Sequence, residues 1–340
     1  MRITWYSTAF HPMIGGLEAV VEMLSHQFAA AGHEVTIITN ALNPQPDDFP
    51  FRVLRRPSLP CQIRVIQNSD VFVHANVSLW GLIPWILAGP SRPAWVATHH
   101  GWYCHHNRSR GWQDRLKIWM AKKWALNISV SHAVDRQLQL NGHVIPNPFN
   151  NQLFRRLPSV NRDKEFVFLG RLVSDKGADI LLDALALLKQ QGLTPSLTII
   201  GSGPELETLA RQTRTLGLLE QVTFDGKRVG EDLVHRLNEH RILVVPSRWS
   251  EPFGLVALEG IACGCAVLGS EAGGLPEAIG RCGMTFPNGD TAALASSLAS
   301  ALTHPSLSWA DPSVSAAHLA VHHQSAVIQR YLNIINPQLP

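Results

Sequence analysis

Two consecutive α/β domains, each built on a doubly wound parallel sheet, are predicted for this chain by three observations. Short apolar strands alternate with helical patterns along nearly the whole length. The alternation halts once, at the turn-rich stretch His143–Asn150 (HVIPNPFN), and then restarts. The chain has 340 residues, 45% of them hydrophobic, which is long for one domain and enough to fill two cores. The expected division is residues 1–148 and residues 149–314, with a helical segment, 315–340, crossing back to brace the first domain.

In the first domain, Arg2–Ser7 (RITWYS) reads as a strand, followed by a helix over Leu17–Ala31 that stops at Gly32. Further strands are expected at Glu34–Thr39, Val71–His74, Ala94–Thr98 and Asn127–Val130, with helices at Trp112–Ala125 and His132–Leu140. In the second domain, strands Phe166–Leu169, Leu197–Ile200, Val222–Phe224, Ile242–Val245 and Ala266–Gly269 are expected. They alternate with helices Ala178–Gln190, Glu205–Leu216, Asp232–Glu239 and Leu255–Cys263. Such runs suit parallel strands covered on both faces. Ser315–Asn333 reads as one helix beyond the second sheet.

Composition excludes several classes. The five cysteines are odd in number and include no CxxC pair, which argues against a disulfide framework or a zinc site and for a reducing cytoplasm. The opening MRITWYSTAF is a strand pattern without the apolar core of a signal peptide. The longest apolar run, Val77–Gly89, holds about 13 residues, too few to span a bilayer. Residues 1–150 carry 13 Lys+Arg against 8 Asp+Glu, whereas residues 151–340 carry 16 against 18. Six of the basic residues lie between His105 and Trp124, with Asp114 the sole acid there. No nucleic-acid motif accompanies them, so an anionic lipid surface or anionic substrate is the expected attractor. The expected location is cytoplasmic, with peripheral attachment to the inner face of the membrane as the bolder reading.

The chemistry concentrates at Pro246–Pro276. Glu251 and Glu259 lie eight residues apart, either side of a Phe253–Gly254–Leu255 turn leading into a helix. On a continuous helix that spacing is roughly 12 Å. It is too long for two carboxylates sharing a proton and suits acceptors gripping two ends of an elongated polar ligand. Arg171 and Lys176, bracketed by Gly170 and Gly177, follow the second domain's first strand and suit a diphosphate. In the first domain, Gly15–Gly16 open a helix, where exposed amides attract phosphate, or they form a plain turn. His99 and His100 end a strand on the same rim, placed for a sugar hydroxyl or phosphate, or merely solvated. Gly201–Ser202–Gly203 is half of a dinucleotide fingerprint, but position 206 is Leu and the motif lies in mid-domain. The stretch RSRGWQDRLKIWMAKKW places Trp112, Leu116, Trp119 and Met120 on one helical face and Lys117 and Lys122 elsewhere. It reads either as a membrane-surface helix or as a helix packed on its own sheet.

Taken together, GGLE, the His100–Gly101 pair, IPNPF, FLGRLVSDKG, GSGP and EPFGLVALEG followed by AGGLPE resemble glycosyltransferase family 4 over nearly the whole chain. The resemblance implies a GT-B fold, two Rossmann-like domains facing across a cleft, and retaining transfer from a UDP- or GDP-sugar. By that resemblance Arg171 and Lys176 bind the donor diphosphate and Glu251 the donor hexose. The backbone around Phe253, Gly254 and Leu255 helps hold the hexose, Glu259 the ribose, and the backbone at Gly15 and Gly16 approaches phosphate and sugar. His100 is the better match to the family's sugar-facing histidine because it precedes Gly101, with Thr98 two residues before. IPNPF replaces the commoner PNG-type run.

The residues themselves agree in one respect. The chain lacks any Asp-x-Asp, so a carboxylate-held divalent ion on the diphosphate lacks its usual ligands. Arg171 and Lys176 can take over its task, and neither metal nor other cofactor is expected. No pair of carboxylates is evidently set for double displacement. The expected function is hexosyl transfer to a saccharide or lipid-linked acceptor in cell-surface polysaccharide or glycolipid synthesis. The alternative is a nucleotide-sugar epimerase of the same architecture.

Overall fold

The computed structural model describes residues 1–13, 15–103, 110–303 and 311–336. The chain divides into two units, Met1–Pro148 with His322–Pro340, and Phe149–Val321.

The first unit runs β1 (Arg2–Ser7), α1 (Gly16–Ala30), β2 (Glu34–Thr39), β3 (Arg52–Arg55), α2 (Leu59–Gln67), β4 (Val71–Ala75) and α3 (Leu79–Leu87). It continues with β5 (Ala94–His99), α4 (Trp112–Trp124), β6 (Ala125–Ser129), α5 (His132–Leu138) and β7 (His143–Val144). The strands pair in parallel in the order β3-β2-β1-β4-β5-β6-β7. Chain order reverses between β1 and β4, so the loops at their carboxyl ends flank the sheet's natural crevice. Helices cover both faces, which buries Trp5, Phe72 and Trp95 completely or nearly so.

Four elements of this unit go beyond the sequence reading. β3 (RVLR) is a half-buried edge strand whose arginines hide its pattern. α3 carries Pro84 in its interior, which costs a ladder donor, yet Ser78 caps the helix by accepting the Gly81 N–H at 3.0 Å. α2 and β7 are short.

α4 corrects the expected face. Ile118, Met120 and Ala121 seat inward, whereas Trp112 and Trp119 are 70% and 51% exposed. The indoles therefore share the outer face with Arg115, Lys122 and Lys123 instead of packing with Met120 on the sheet. Lys117 leans inward, bound to Asp114 at 3.0 Å. Arg108 of the basic stretch lies outside the described residues.

The second unit runs β8 (Lys164–Leu169), α6 (Ala178–Gln190), β9 (Leu197–Ile200), α7 (Leu206–Thr215), β10 (Val222–Gly226), α8 (Gly230–Asn238) and β11 (His240–Val245). It ends with α9 (Leu255–Ala262), β12 (Ala266–Ser270), α10 (Leu275–Ile279), β13 (Gly283–Phe286), α11 (Thr291–Thr303) and α12 (Pro312–Ala320). Its parallel order is β10-β9-β8-β11-β12-β13, with the switch point between β8 and β11. The core is the apolar face of α6, Ile180 to Leu188, with Phe166, Phe168 and Leu268 beneath it.

The single helix expected over Ser315–Asn333 is two. Asp311 caps α12 by accepting the Ser313 N–H, and the helix packs on α9, with His318 Nε2 2.8 Å from the Ala278 carbonyl. The chain breaks at Val321–His323, and α13 (Gln324–Ile335) belongs to the first unit. There Tyr331 packs edge-on against Phe28 of α1, and Gln27 donates to Gln324 at 2.8 Å.

Candidate active site

The strongest constellation sits at the switch point of the second sheet, where the loops after β8 and β11 meet. They are joined backbone to backbone: the Arg248 and Trp249 N–H groups both donate to the Asp175 carbonyl, at 2.9 and 3.3 Å. Arg248 also pairs with Asp179 on α6 at 2.6 Å. A Cβ at Gly177 would lie 2.0 Å from the Pro246 carbonyl oxygen, so only glycine allows this approach.

This junction brings Lys176 and Glu251 together. Lys176 Nζ donates to Glu251 Oε1 at 2.5 Å, and the buried Ser247 hydroxyl donates to the same oxygen at 2.7 Å. Glu251 is thereby aimed from two sides through Oε1, and among the described residues no hydrogen-bond partner takes its other oxygen. Its backbone is held as well. It forms an isolated parallel bridge with Gly273, and its carbonyl accepts the Gly274 N–H at 2.7 Å. Gly273 has φ +88°, and a Cβ there would stand 2.2 Å from the Glu251 oxygen.

Arg171 is exposed on the loop after β8, and among the described residues no side-chain or backbone acceptor takes its guanidinium. Gly254 caps α9 with φ +114°, and no described acceptor takes the Gly254 and Leu255 N–H groups. Such free amides at a helix start, beside two cations, favour an anion. Phe253 is buried beneath the turn.

Glu251 precedes α9 while Glu259 lies within it, so the two carboxylates are not on one continuous helix. Glu259 is half-buried, and burial pushes its carboxyl up to about 7. Near neutral pH it can therefore both donate and accept a hydrogen bond.

Two residues that sequence reasoning missed complete the site, Ser247 and Asn288. Asn288 accepts the Ala272 N–H at 2.8 Å and donates to the Ser247 carbonyl at 2.9 Å. Its only signal in the sequence is the turn-like Pro287–Asn288–Gly289. By contrast, GSGP is a packing loop: a Cβ at Gly201 would lie 1.8 Å from the Gly170 carbonyl oxygen, and one at Gly203 would lie 2.3 Å from that of Leu172.

The first unit's rim holds the remaining predicted residues. Gly15 is the extended cap of α1 and Gly16 its first residue, with the Glu18 side chain folded close to Gly15. His99 is consumed by structure. Its Nδ1 lies 3.1 Å from the Tyr103 hydroxyl, whose oxygen accepts the Val77 N–H at 2.6 Å, and its Nε2 lies 2.9 Å from Asn127 Oδ1. His100 is less committed. Its Nε2 is 3.1 Å from the Thr98 hydroxyl, and its Nδ1 is buried, with the Asn147 side chain among the groups that act on the ring. Burial lowers the His99 ring to about 4 and the His100 ring to about 3, so both are neutral. Among the described residues no cluster of three potential metal ligands occurs.

Comparisons with known proteins bear on the family and the fold. The pattern described as "Glycosyltransferase Family 4" matches residues 14–153, and "Glycosyl transferases group 1" matches residues 149–310. A glycogen synthase of Mycobacterium tuberculosis is 28% identical, over 90% of this chain and 87% of its own. A D-inositol 3-phosphate glycosyltransferase of Corynebacterium jeikeium is 26% identical, over 81% and 80%. Among solved structures, Anabaena HepE in complex with UDP superposes with a TM-score of 0.80 at 20% identity, covering 99% of this chain and 100% of that one. Sucrose-phosphate synthase from Thermosynechococcus elongatus gives 0.80 at 22%, covering 99% and 98%. Two parallel-sheet units of this topology, matched by these patterns from residue 14 to residue 310, make the chain a glycosyltransferase of family 4 with the GT-B fold.

Proposed function

We propose that the protein moves a hexosyl unit from a UDP- or GDP-sugar to a saccharide or lipid-linked acceptor, with retained anomeric configuration and without a metal ion. The carrying observation is the Lys176–Glu251–Ser247 constellation at the β8/β11 switch point, beside the uncommitted Arg171. Lys176 and Arg171 offset the charge that grows on the leaving diphosphate, with the Gly254 and Leu255 amides as further donors. Glu251 accepts from hexose hydroxyls. Glu259, carrying a proton for part of the time at neutral pH, holds the ribose. His100 and the backbone at Gly15 and Gly16 are proposed, from the family resemblance, as the first unit's contacts to the donor. The leaving phosphate oxygen takes the acceptor's proton on the face it departs from.

A thermal-shift panel of UDP-, GDP- and ADP-sugars tests donor binding, since a ligand specific for the native state raises the melting temperature with concentration. Product NMR then reads the anomeric centre, and an inverted product overturns retention. Activity is expected to survive excess EDTA; loss restored by Mn²⁺ or Mg²⁺ overturns metal independence. Epimerised nucleotide sugar released without acceptor would favour the epimerase reading.

The acceptor is proposed to be lipid-linked because α4 turns Trp112 and Trp119 outward with Arg115, Lys122 and Lys123. Lys123 Nζ lies 5.3 Å from the ring centroids of both Trp119 and Trp124. Indoles anchor at bilayer interfaces, and each basic residue near an anionic surface adds about 1 kcal/mol. Flotation with vesicles containing phosphatidylserine is expected to carry the wild type at low salt and to lose the Arg115/Lys122/Lys123→Glu variant. Unchanged flotation of that variant, or none for the wild type, makes a soluble saccharide the acceptor. No described helix is long and apolar enough to cross a membrane.

A further inference from the structure

We infer that Asn288 is a positioning residue that sets the grip on the donor hexose, acting through Ser247 on Glu251. The inference rests on the proposed role of Glu251. Asn288 follows β13, one strand beyond β12, and makes no contact with Lys176 or Arg171 among its described hydrogen bonds. What it touches is the frame around Glu251. Its side-chain amide donates to the Ser247 carbonyl at 2.9 Å and reaches the Trp249 carbonyl at 3.5 Å. Its carbonyl oxygen accepts the Ala272 N–H at 2.8 Å.

These bonds tie two ligand-facing loops to one planar group. Ser247 sits on the loop after β11, and its hydroxyl donates to Glu251 Oε1. Ala272 sits on the loop after β12, next to the Gly273 and Gly274 that hold the Glu251 backbone. Both the carboxylate and the main chain of Glu251 are thus referred to Asn288 at one remove. An amide is required, because no other side chain of that size offers a donor and an acceptor in one plane. Aspartate keeps the acceptor for Ala272 but sets a carboxylate against the Ser247 carbonyl.

A role in fold stability alone would weaken every ligand of this unit alike. A role in placing Glu251 acts on the sugar and spares the nucleotide. Calorimetric titration with two pairs of probes separates these: UDP-glucose against UDP, and GDP-mannose against GDP. For the pair that wild type binds, Asn288→Ala and Asn288→Asp are expected to weaken the nucleotide sugar about tenfold or more. The nucleoside diphosphate should stay within about twofold, the ordinary scatter of an uninvolved group. If Asn288→Ala does not fold, Asn288→Asp carries the test. Equal weakening of both probes, or no weakening, overturns the inference. Glu251→Gln is titrated alongside. If it keeps the full advantage of nucleotide sugar over nucleotide, the role of Glu251 fails first and the inference falls with it. If it loses that advantage while the Asn288 variants keep it, only the inference fails.

Discussion

Replacing Lys176 by Ala is expected to lower donor turnover by roughly 100- to 1,000-fold, the scale on which a preorganised charge at the reacting centre contributes. The change removes a cation that the proposed mechanism places on the leaving diphosphate. It also frees Glu251, whose Oε1 is then held by the Ser247 hydroxyl alone. Stability should fall by about 1–2 kcal/mol, because the pair is partly exposed, 30% at Lys176 and 13% at Glu251, and the Glu251 carboxylate keeps the Ser247 hydroxyl. Turnover measured on either nucleotide sugar, with the melting temperature as control, checks both halves. A variant retaining more than about a tenth of wild-type turnover would remove Lys176 from the diphosphate.

Acid should unfold the first unit between about pH 6 and pH 4, over a window set by three histidines. Burial lowers His74 to about 3, His99 to about 4 and His100 to about 3. Their folded values lie below the ordinary 6.5, so the unfolded chain binds more protons in this window. The stability they contribute is complete above about pH 6.5 and is lost as pH falls toward the folded values. Each contributes about 1.4 kcal/mol per pH unit, and the three together about 4, against a typical total of 5–15 kcal/mol. The contacts show why protonation is resisted. His74 Nε2 already accepts the Ser78 N–H, and its Nδ1 is buried with no partner among the described residues. Charging His99 would put a second donor against the Tyr103 hydroxyl, whose oxygen already accepts from Val77. The second unit has a buried histidine of this kind in His240, also lowered by burial. Eight of the ten tryptophans lie within residues 1–148, so indole emission reports chiefly on the first unit. Native emission persisting at pH 4 would mean these rings find acceptors in the folded state.

Much of the fold was legible because buried parallel strands are apolar runs. β1, β2 and β4 are each buried along nearly every residue, and their sequences show it. β3 was hidden because half-burial lets an edge strand carry Arg52 and Arg55, and α3 because Pro84 interrupts its pattern. Strand order was not legible, since it depends on which helices cover which face. Lys176 and Glu251 were readable as charges on loops, but their direct pairing was not, because 75 residues separate them. Ser247 and Asn288 left almost no trace, as the Ser247 hydroxyl is one of many in loops and Asn288 works through the Ala272 amide and the Ser247 carbonyl, which any sequence supplies. The face of α4 was misassigned because its period admits two stripes. The structure seats the one centred on Ile118 and Ala121.

The return of α13 to the first unit has a consequence for synthesis. Val327, Tyr331 and Ile335 are almost wholly buried, and Tyr331 lies against Phe28. A nascent chain that has reached Pro148 has every strand of the first sheet yet leaves that side of α1 bare. Nearly 190 further residues must emerge before it is covered, roughly 10–40 s at common elongation rates. The second unit, one uninterrupted stretch from Phe149 to Val321, is complete before the first has its last helix. The ribosome thus finishes the two units in the reverse of the order in which it starts them, and the waiting surface around Phe28 is where a chaperone would be needed.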